Sequence, residues 1–236
     1  MTRIKLEKAT RRINIYDYSL IEYAKFLESF WGRRILIETE DKTIGIINLI
    51  LSREQFPHLI GLDYCFDSER NKNKYVGNEG MDLLKSGSVT IQNLKKNFSK
   101  NVKNPENKIN ISWNKHLLPR IEYLPCFLNK LPLKKVKLYK NAKDPKHKIK
   151  GDFLLFKLGE KNYLILSIKN TNNGYVCETF IVNDGLSYCN PDGEIPLKSI
   201  RIEWLSALAR KLSFYISFRI NSFNYNFKKI IKRIPC

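Results

Sequence analysis

Three histidines are the side chains of this sequence best suited to move protons near neutral pH, because the ordinary imidazole pKa is about 6.5. They are His58, His116 and His147. His58 lies in the stretch REQFPHLIGLDY, where Pro57 and Gly61 define the backbone and apolar neighbours can hold the ring still. His116 and His147 lie among lysines, which favours a surface position or a contact with phosphate. His58 is therefore the candidate catalytic residue, and a histidine packed in the core is the alternative.

The charge of the chain indicates a polyanionic partner. Its 42 Lys and Arg against 23 Asp and Glu give a net charge of +19 and a pI near 9.7, which is typical of proteins that bind nucleic acid or an anionic membrane surface. Between Lys95 and Lys157 there are 17 basic residues against four acids. The densest run is KNAKDPKHKIKGD, and its Lys146, Lys148 and Lys150 are candidate phosphate contacts; a solvated loop is the alternative.

The cysteines and the apolar segments exclude several classes of protein. The five cysteines are widely spaced and form no CxxC pair, so neither a disulfide framework nor a zinc site is expected, and no cofactor is predicted. No stretch approaches about eighteen continuous apolar residues, and the N-terminus has no apolar signal-peptide core. The sequence thus predicts a reduced, cytoplasmic protein without integral membrane contact.

Hydrophobic periodicity predicts an α+β fold. Apolar residues at three- and four-residue spacing predict a helix over 17–31, and two β-branched runs, 34–40 and 42–51, predict a hairpin. A short turn or helix then holds His58, and a polar helical insert covers 67–130. Its predicted helices are 78–85, SVTIQNLKKNF with Ser88 as its cap, and 122–131 with an interruption at Pro125. An antiparallel sheet of about four to five strands follows, in the runs PLKKVKLYK (132–140), DFLLFKL (152–158), NYLILSI (162–168), YVCETFIV (175–182) and IPLKSIRI (195–202).

Two regions are predicted along the chain. Residues 1–202 form the main domain, and residues 203–236 form a basic, aromatic extension that packs on the same domain and begins with a C-terminal helix from about 204 to 215. The aromatic side chains of the extension could instead stack on bases or rest on a membrane surface.

The order of these motifs resembles a known family. The stretches PHLIGL, KIKGDFLLFK, NYLILSI, NNGYVCETFIV and GLSY follow one another as they do in the phage barnase-EndoU-colicin-RelE-like nucleases, and the resemblance covers roughly residues 16–202. It implies a barnase- or RelE-like sheet and a metal-independent endoribonuclease that acts as a phage or mobile-element toxin or effector. The implied partners are RNA, including tRNA or ribosome-associated RNA, and an antitoxin or immunity protein.

The resemblance also assigns roles to residues. Metal-free RNA cleavage needs a proton acceptor for the 2'-hydroxyl, a proton donor for the 5'-oxygen and a group that stabilises charge on phosphorus. His58 is the implied acid or base, and Thr179, by likeness to the family strand, is the phosphate-binding hydroxyl, with ordinary strand propensity as the alternative. Independently of the resemblance, Lys157 is the candidate cation because it closes the DFLLFK strand, and a solvated strand-end lysine is the alternative. Because strand residues alternate, only one of Glu178 and Thr179 is expected to face the cleft. Further candidate contacts to nucleic acid, all outside this catalytic group, are Arg53, Lys146, Lys148, Lys150 and Tyr188.

Two alternatives remain open. Asp152 and Lys169 partly match the strand pattern of metal-dependent nucleases, although Ser167 stands where a further carboxylate ligand is needed. The second alternative is a non-catalytic basic module that binds RNA or a protein partner.

Overall fold

The structure is a computed structural model that describes residues 4–107, 111–131, 136–141, 149, 151–158, 163–172, 174–183 and 193–204. The helices are α1 (Leu20–Glu28), α2 (Phe56–Leu59), α3 (Gly77–Ser86), α4 (Ile91–Lys103) and α5 (Leu118–Lys130). The strands are β1 (Arg33–Thr39), β2 (Ile46–Ile50), β3 (Val136–Lys140), β4 (Phe153–Leu158), β5 (Tyr163–Thr171), β6 (Gly174–Asn183), β7 (Glu194–Ile195) and β8 (Leu197–Trp204).

All eight of these strands belong to one mixed sheet, in the order β7-β3-β4-β5-β6-β2-β1-β8. The antiparallel meander from β3 to β6 confirms the first four predicted strands. The fifth predicted strand, 195–202, does not extend the meander, because Pro196 divides it between β7 and β8 at the two edges of the sheet. The predicted sheet of four to five antiparallel strands is wrong in extent, because the hairpin β1–β2 joins the meander through a parallel pairing of β2 with β6. The hairpin joins because its apolar face is fully buried: Ile35, Ile37, Ile47 and Leu49 belong to the same core as the meander.

The sheet is nearly closed into a barrel. β7 pairs with β3 at one edge, β8 lies beside β1 at the other, and only Pro196 separates β7 from β8 along the chain. The chain at Pro196 therefore connects the two edges. A nearly closed sheet leaves few unpaired backbone N–H and C=O groups at its edges, and such groups are the ones that can pair with another chain in aggregation.

Helix α5 is the most enclosed helix of the described chain. Residues 121–128 are all buried, which is the pattern of a helix that is surrounded rather than packed on one face. Its one buried carboxylate, Glu122, accepts a hydrogen bond of 2.7 Å from Nε of Arg12 and one from the backbone N–H of Ile15. These bonds satisfy the buried charge and attach the N-terminal segment to α5.

The other predicted helices are confirmed with shifted ends. α1 begins at a capping box between Ser19 and Glu22, and α4 begins at a similar box between Thr90 and Asn93. α5 starts four residues before the predicted helix and continues through Pro125, which the sequence had suggested as an interruption.

The chain divides into two compact units, Met1–Ile202 and Glu203–Cys236. Only Glu203 and Trp204 of the second unit are described, and both belong to β8. The rest of the predicted C-terminal helix lies outside the described residues, and the packing of the extension stays a prediction. Within the described part of the chain, no helix combines the length and apolar character needed to cross a membrane.

Candidate active site

His58 lies where two parallel strands part. β2 pairs with β6 only at Leu49–Tyr175 and Ile50–Val176, after which the β2 chain leaves the sheet and forms a 3₁₀ turn and α2. β6 continues beyond Val176 to Asn183, and α2 contacts this strand. The end of a strand that parts from its parallel neighbour is a common place for ligand sites in sheets.

A carboxylate holds the His58 ring. Nδ1 of His58 lies 3.0 Å from Oδ2 of Asp63, and the histidine side chain is 48% exposed. Nε2 has no hydrogen-bond partner among the described residues, so it is the ring nitrogen that can exchange a proton with a bound molecule. The core-histidine alternative does not agree with this exposure. The ring is oriented by its partner, as in other sites where a carboxylate fixes the tautomer of a histidine.

Gly61 makes this contact possible. Gly61 has a left-handed backbone conformation, with φ of +73°, and turns the chain after α2. The turn brings Asp63 back to His58, which precedes it by five residues. A Cβ atom at position 61 would lie 2.2 Å from Cδ1 of Leu117, in the turn that precedes α5. Both the backbone angle and the close packing therefore require glycine.

The charges around His58 favour its protonated form. The hydrogen bond with Asp63 raises the pKa of His58 above its ordinary value, while partial burial acts in the opposite direction. Two further charges act on the ring: Arg120 of α5 lowers the pKa, and Glu178 of β6 raises it. The charges of two carboxylates and one guanidinium thus act on the imidazolium. This arrangement suits a proton donor near neutral pH.

Glu178 occupies a β-bulge. The pairing of β5 with β6 steps from Ser167–Thr179 to Ile168–Cys177, so that Glu178 is the extra residue. The fully buried hydroxyl of Ser167 donates a 2.7 Å hydrogen bond to Oε2 of Glu178. Gly151 approaches closely from the other side, since a Cβ there would lie 2.1 Å from the Ser167 hydroxyl and 3.1 Å from Oε2 of Glu178.

The bulge changes the expected alternation of β6. Thr179 is directly opposite Ser167 in the register, and opposite residues of an antiparallel pair point to the same face. Glu178 also reaches Ser167. The expected opposite orientation of Glu178 and Thr179 is therefore wrong, because the extra residue brings both side chains to the side of Ser167. Their exposure to a bound substrate stays a prediction.

Arg53 lies in the 3₁₀ turn before α2, and its guanidinium is occupied. Its Nε lies 2.9 Å from Glu28 of α1, and its Nη2 lies 2.6 Å from Asp82 of α3. Its side chain is 13% exposed. These bonds fix the turn that leads to His58 against two helices, and the predicted contact of Arg53 with nucleic acid stays a prediction.

The remaining predicted residues are placed only in part. Lys157 pairs through its backbone with Leu164, and three residues, about 10 Å along β4, separate it from Leu154, which pairs with Ser167. Four predicted phosphate or base contacts lie outside the described residues: Lys146, Lys148, Lys150 and Tyr188.

The residues of the metal-site alternative are Asp152 and Lys169. Oδ2 of Asp152 accepts a 2.7 Å hydrogen bond from the backbone N–H of Asn170, and Lys169 is exposed. Across the described ranges, no three His, Cys, Asp or Glu side chains are grouped so that they could hold a metal ion.

Sequence reasoning did not select Asp63, Arg120 or Glu178 for the site. Asp63 had a local signal, since it follows His58 by five residues with a glycine between them. Arg120 and Glu178 had none, because they lie on α5 and β6, far from His58 along the chain.

An α+β fold with an accessible, carboxylate-held imidazole defines a protein equipped for general acid–base chemistry. The chain belongs to the family described as phage-Barnase-EndoU-ColicinE5/D-RelE like nuclease4, whose model matches residues 19–203. This confirms the resemblance seen in the motifs, and membership implies a nuclease with a nucleic acid substrate. No curated protein and no solved structure matches the chain.

Proposed function

We propose that this protein is a metal-independent endoribonuclease with His58 and Glu178 as its proton-transfer pair. The observation that most supports the proposal is the His58–Asp63 contact, which fixes Nδ1 and leaves Nε2 accessible. Asp63 is a positioning residue in this scheme. The family supports the choice of a nuclease, and the charged residues that act on His58 supply the proposed chemistry.

The reaction begins at the 2'-hydroxyl of RNA. Glu178 takes the hydroxyl proton while the 2'-oxygen forms a bond to phosphorus. The bond from phosphorus to the 5'-oxygen then breaks, and Nε2 of the protonated His58 gives its proton to that oxygen. The products are a 2',3'-cyclic phosphate and a 5'-hydroxyl, and one proton passes back from Glu178 to His58 through solvent to restore the starting state.

Charge develops on the phosphoryl oxygens in the transition state. Arg120 is the proposed cation for these oxygens, since it is close enough to His58 to lower its pKa. The Thr179 hydroxyl is the proposed hydrogen-bond donor on the strand beside it. We extend the proposal to Lys157 as a further catalytic cation, and to Arg53, Lys146, Lys148, Lys150 and Tyr188 as contacts to the bound RNA.

The test is cleavage of mixed RNA in the presence of EDTA. The wild-type protein is expected to cleave, with cyclic phosphate ends, and His58→Ala is expected to be inactive. His116→Ala is the matched control: His116 is exposed, and its Nδ1 accepts a hydrogen bond from the Ser112 backbone. Equal activity of wild type and His58→Ala would refute the proposal.

Other outcomes distinguish the alternatives. Cleavage that is lost on chelation and in Asp152→Asn would favour the metal-dependent mechanism with Lys169. Absence of cleavage together with salt-sensitive RNA binding would favour the non-catalytic module.

The proposed biological role is that of a phage or mobile-element toxin. Expression of wild-type protein is expected to slow bacterial growth, and His58→Ala is expected not to. Rescue of growth by a co-expressed neighbouring gene product would identify an antitoxin. Sequencing of the RNA ends in such cells would show whether tRNA or ribosomal RNA is the target.

A further inference from the structure

Helix α4 presents a purely basic face to solvent. Lys95, Lys96, Lys100 and Lys103 are all exposed, and the helix contains no acidic residue. None of these four lysines has an ion-pair partner among the residues that the structure describes. Four neighbouring like charges repel one another, and this cost remains until an anion is bound.

The opposite face of α4 limits what that anion can be. Ile91, Leu94 and Phe98 are buried in the core. A helix that binds a membrane surface must insert an apolar face among the lipids, and α4 has no apolar face left for this. A soluble polyanion can bind through the exposed lysines alone, without an apolar face on the helix.

Two contacts connect α4 to the candidate active site. The buried Asn101 amide donates hydrogen bonds of 3.0 Å to the carbonyl of Tyr64 and 2.8 Å to the carbonyl of Phe66, in the segment directly after Asp63. On α4, Phe98 packs against Trp113 with ring centroids 5.7 Å apart.

Trp113 begins the turn that leads into α5, the helix that holds Arg120. Helix α4 is thus attached to two of the three segments that supply charged groups to the site.

We propose that the lysine face of α4 binds the phosphates of single-stranded RNA that flanks the cleaved bond. This proposal rests on the nuclease function proposed above and adds the class of substrate, a strand longer than the reacting dinucleotide. Lys96, Lys100 and Lys103 recur at four- and three-residue spacing on one face and span about 10 Å along the helix. That length suits a row of successive backbone phosphates, whose contacts give affinity without sequence preference.

The test measures binding separately from cleavage. On the His58→Ala background, the affinity for single-stranded RNA of about 20 nucleotides is measured at several salt concentrations. Each phosphate contact contributes about −0.7 to the slope of log K against log salt for single strands. Replacing Lys96, Lys100 and Lys103 by glutamine is therefore expected to reduce the magnitude of the slope by about 2.

Two control variants separate the effect of where the positive charges lie from the effect of the total charge. Glutamine at Lys8, Lys25 and Lys42, which are exposed and lie outside α4, removes the same charge and is expected to leave the slope within about one contact of the parent. Arginine at the three α4 positions keeps the charge and is expected to retain the slope. Thermal unfolding of each variant checks the fold, since exposed Lys→Gln changes in a helix have small effects on stability.

A slope that is the same in the α4 glutamine variant and in the parent would overturn the proposal, as would equal losses in the α4 variant and the distant control. Tighter binding of the parent to anionic lipid vesicles than to RNA, dependent on the same lysines, would also overturn it.

When the α4 glutamine substitutions are made in the catalytically intact protein, kcat/KM on long RNA is expected to fall because KM rises. On a dinucleotide, kcat/KM is expected to stay unchanged. If the wild type cleaves no RNA while the slope still changes, the nuclease proposal fails and the binding face stands.

Discussion

Replacing Asp63 by asparagine removes the charge beside His58 and keeps the shape of the side chain. The carboxylate oxygen lies 3.0 Å from Nδ1, and a hydrogen bond to a charged group contributes about 1.5–3 kcal/mol. The His58 side chain is 48% exposed, so solvent screening reduces the charge-dependent part to about 0.5–1.5 kcal/mol. A free energy of this size corresponds to about a 2- to 12-fold decrease in the cleavage rate.

The pKa of His58 is expected to fall in Asp63→Asn, because partial burial and Arg120 both disfavour the imidazolium and the main opposing charge is gone. In the wild type the folded-state pKa of His58 is raised. The pair therefore stabilises the fold fully at pH below the unfolded pKa of about 6.5, and this contribution is lost as the pH rises through the folded pKa. The difference in free energy of unfolding between wild type and variant is thus expected to be larger at about pH 6 than at about pH 8.

The assay is an NMR titration of the His58 ring protons in both proteins, with urea unfolding at the two pH values. His116, which has no carboxylate partner among the described residues, serves as the internal reference in the same spectra. An unchanged pKa of His58 in Asp63→Asn would refute the reasoning, because it would mean that the 3.0 Å contact does not govern the protonation of the ring.

Two further substitutions test the supporting structure. Ser167→Ala removes the hydrogen bond that positions Glu178, so kcat/KM is expected to fall by roughly 2- to 10-fold, and an unchanged kcat/KM would count against Glu178 as the base. Gly61→Ala is expected to lower the free energy of unfolding by about 1–3 kcal/mol more than Gly45→Ala, because both glycines have positive φ and only position 61 would clash with Leu117. Equal losses measured by urea unfolding would show that packing at position 61 is unimportant.

Local sequence patterns predicted the elements of this fold well. The meander strands and helices α1, α3 and α4 lie close to their predicted positions, because apolar periodicity and capping residues act within a few residues of one another. The same patterns could not predict that the hairpin joins the meander. That pairing depends on which apolar faces meet in space, and many strand partners satisfy the same alternation.

The candidate site followed the same division. The surroundings of His58 in the chain suggested an accessible, restrained ring, and the turn through Gly61 to Asp63 is encoded within six residues. The bulge that presents both Glu178 and Thr179 was not predictable, since one extra residue in a strand leaves no distinct sequence signal.

The sequence by itself determined the family, the basic character and the histidine most suited to proton transfer, because these depend on residue types and short-range order. Only the tertiary structure decided which charges surround that histidine. Asp63, Arg120 and Glu178 come from a turn, a helix and a strand, and electrostatic interactions depend on distance in space, whatever the separation along the chain.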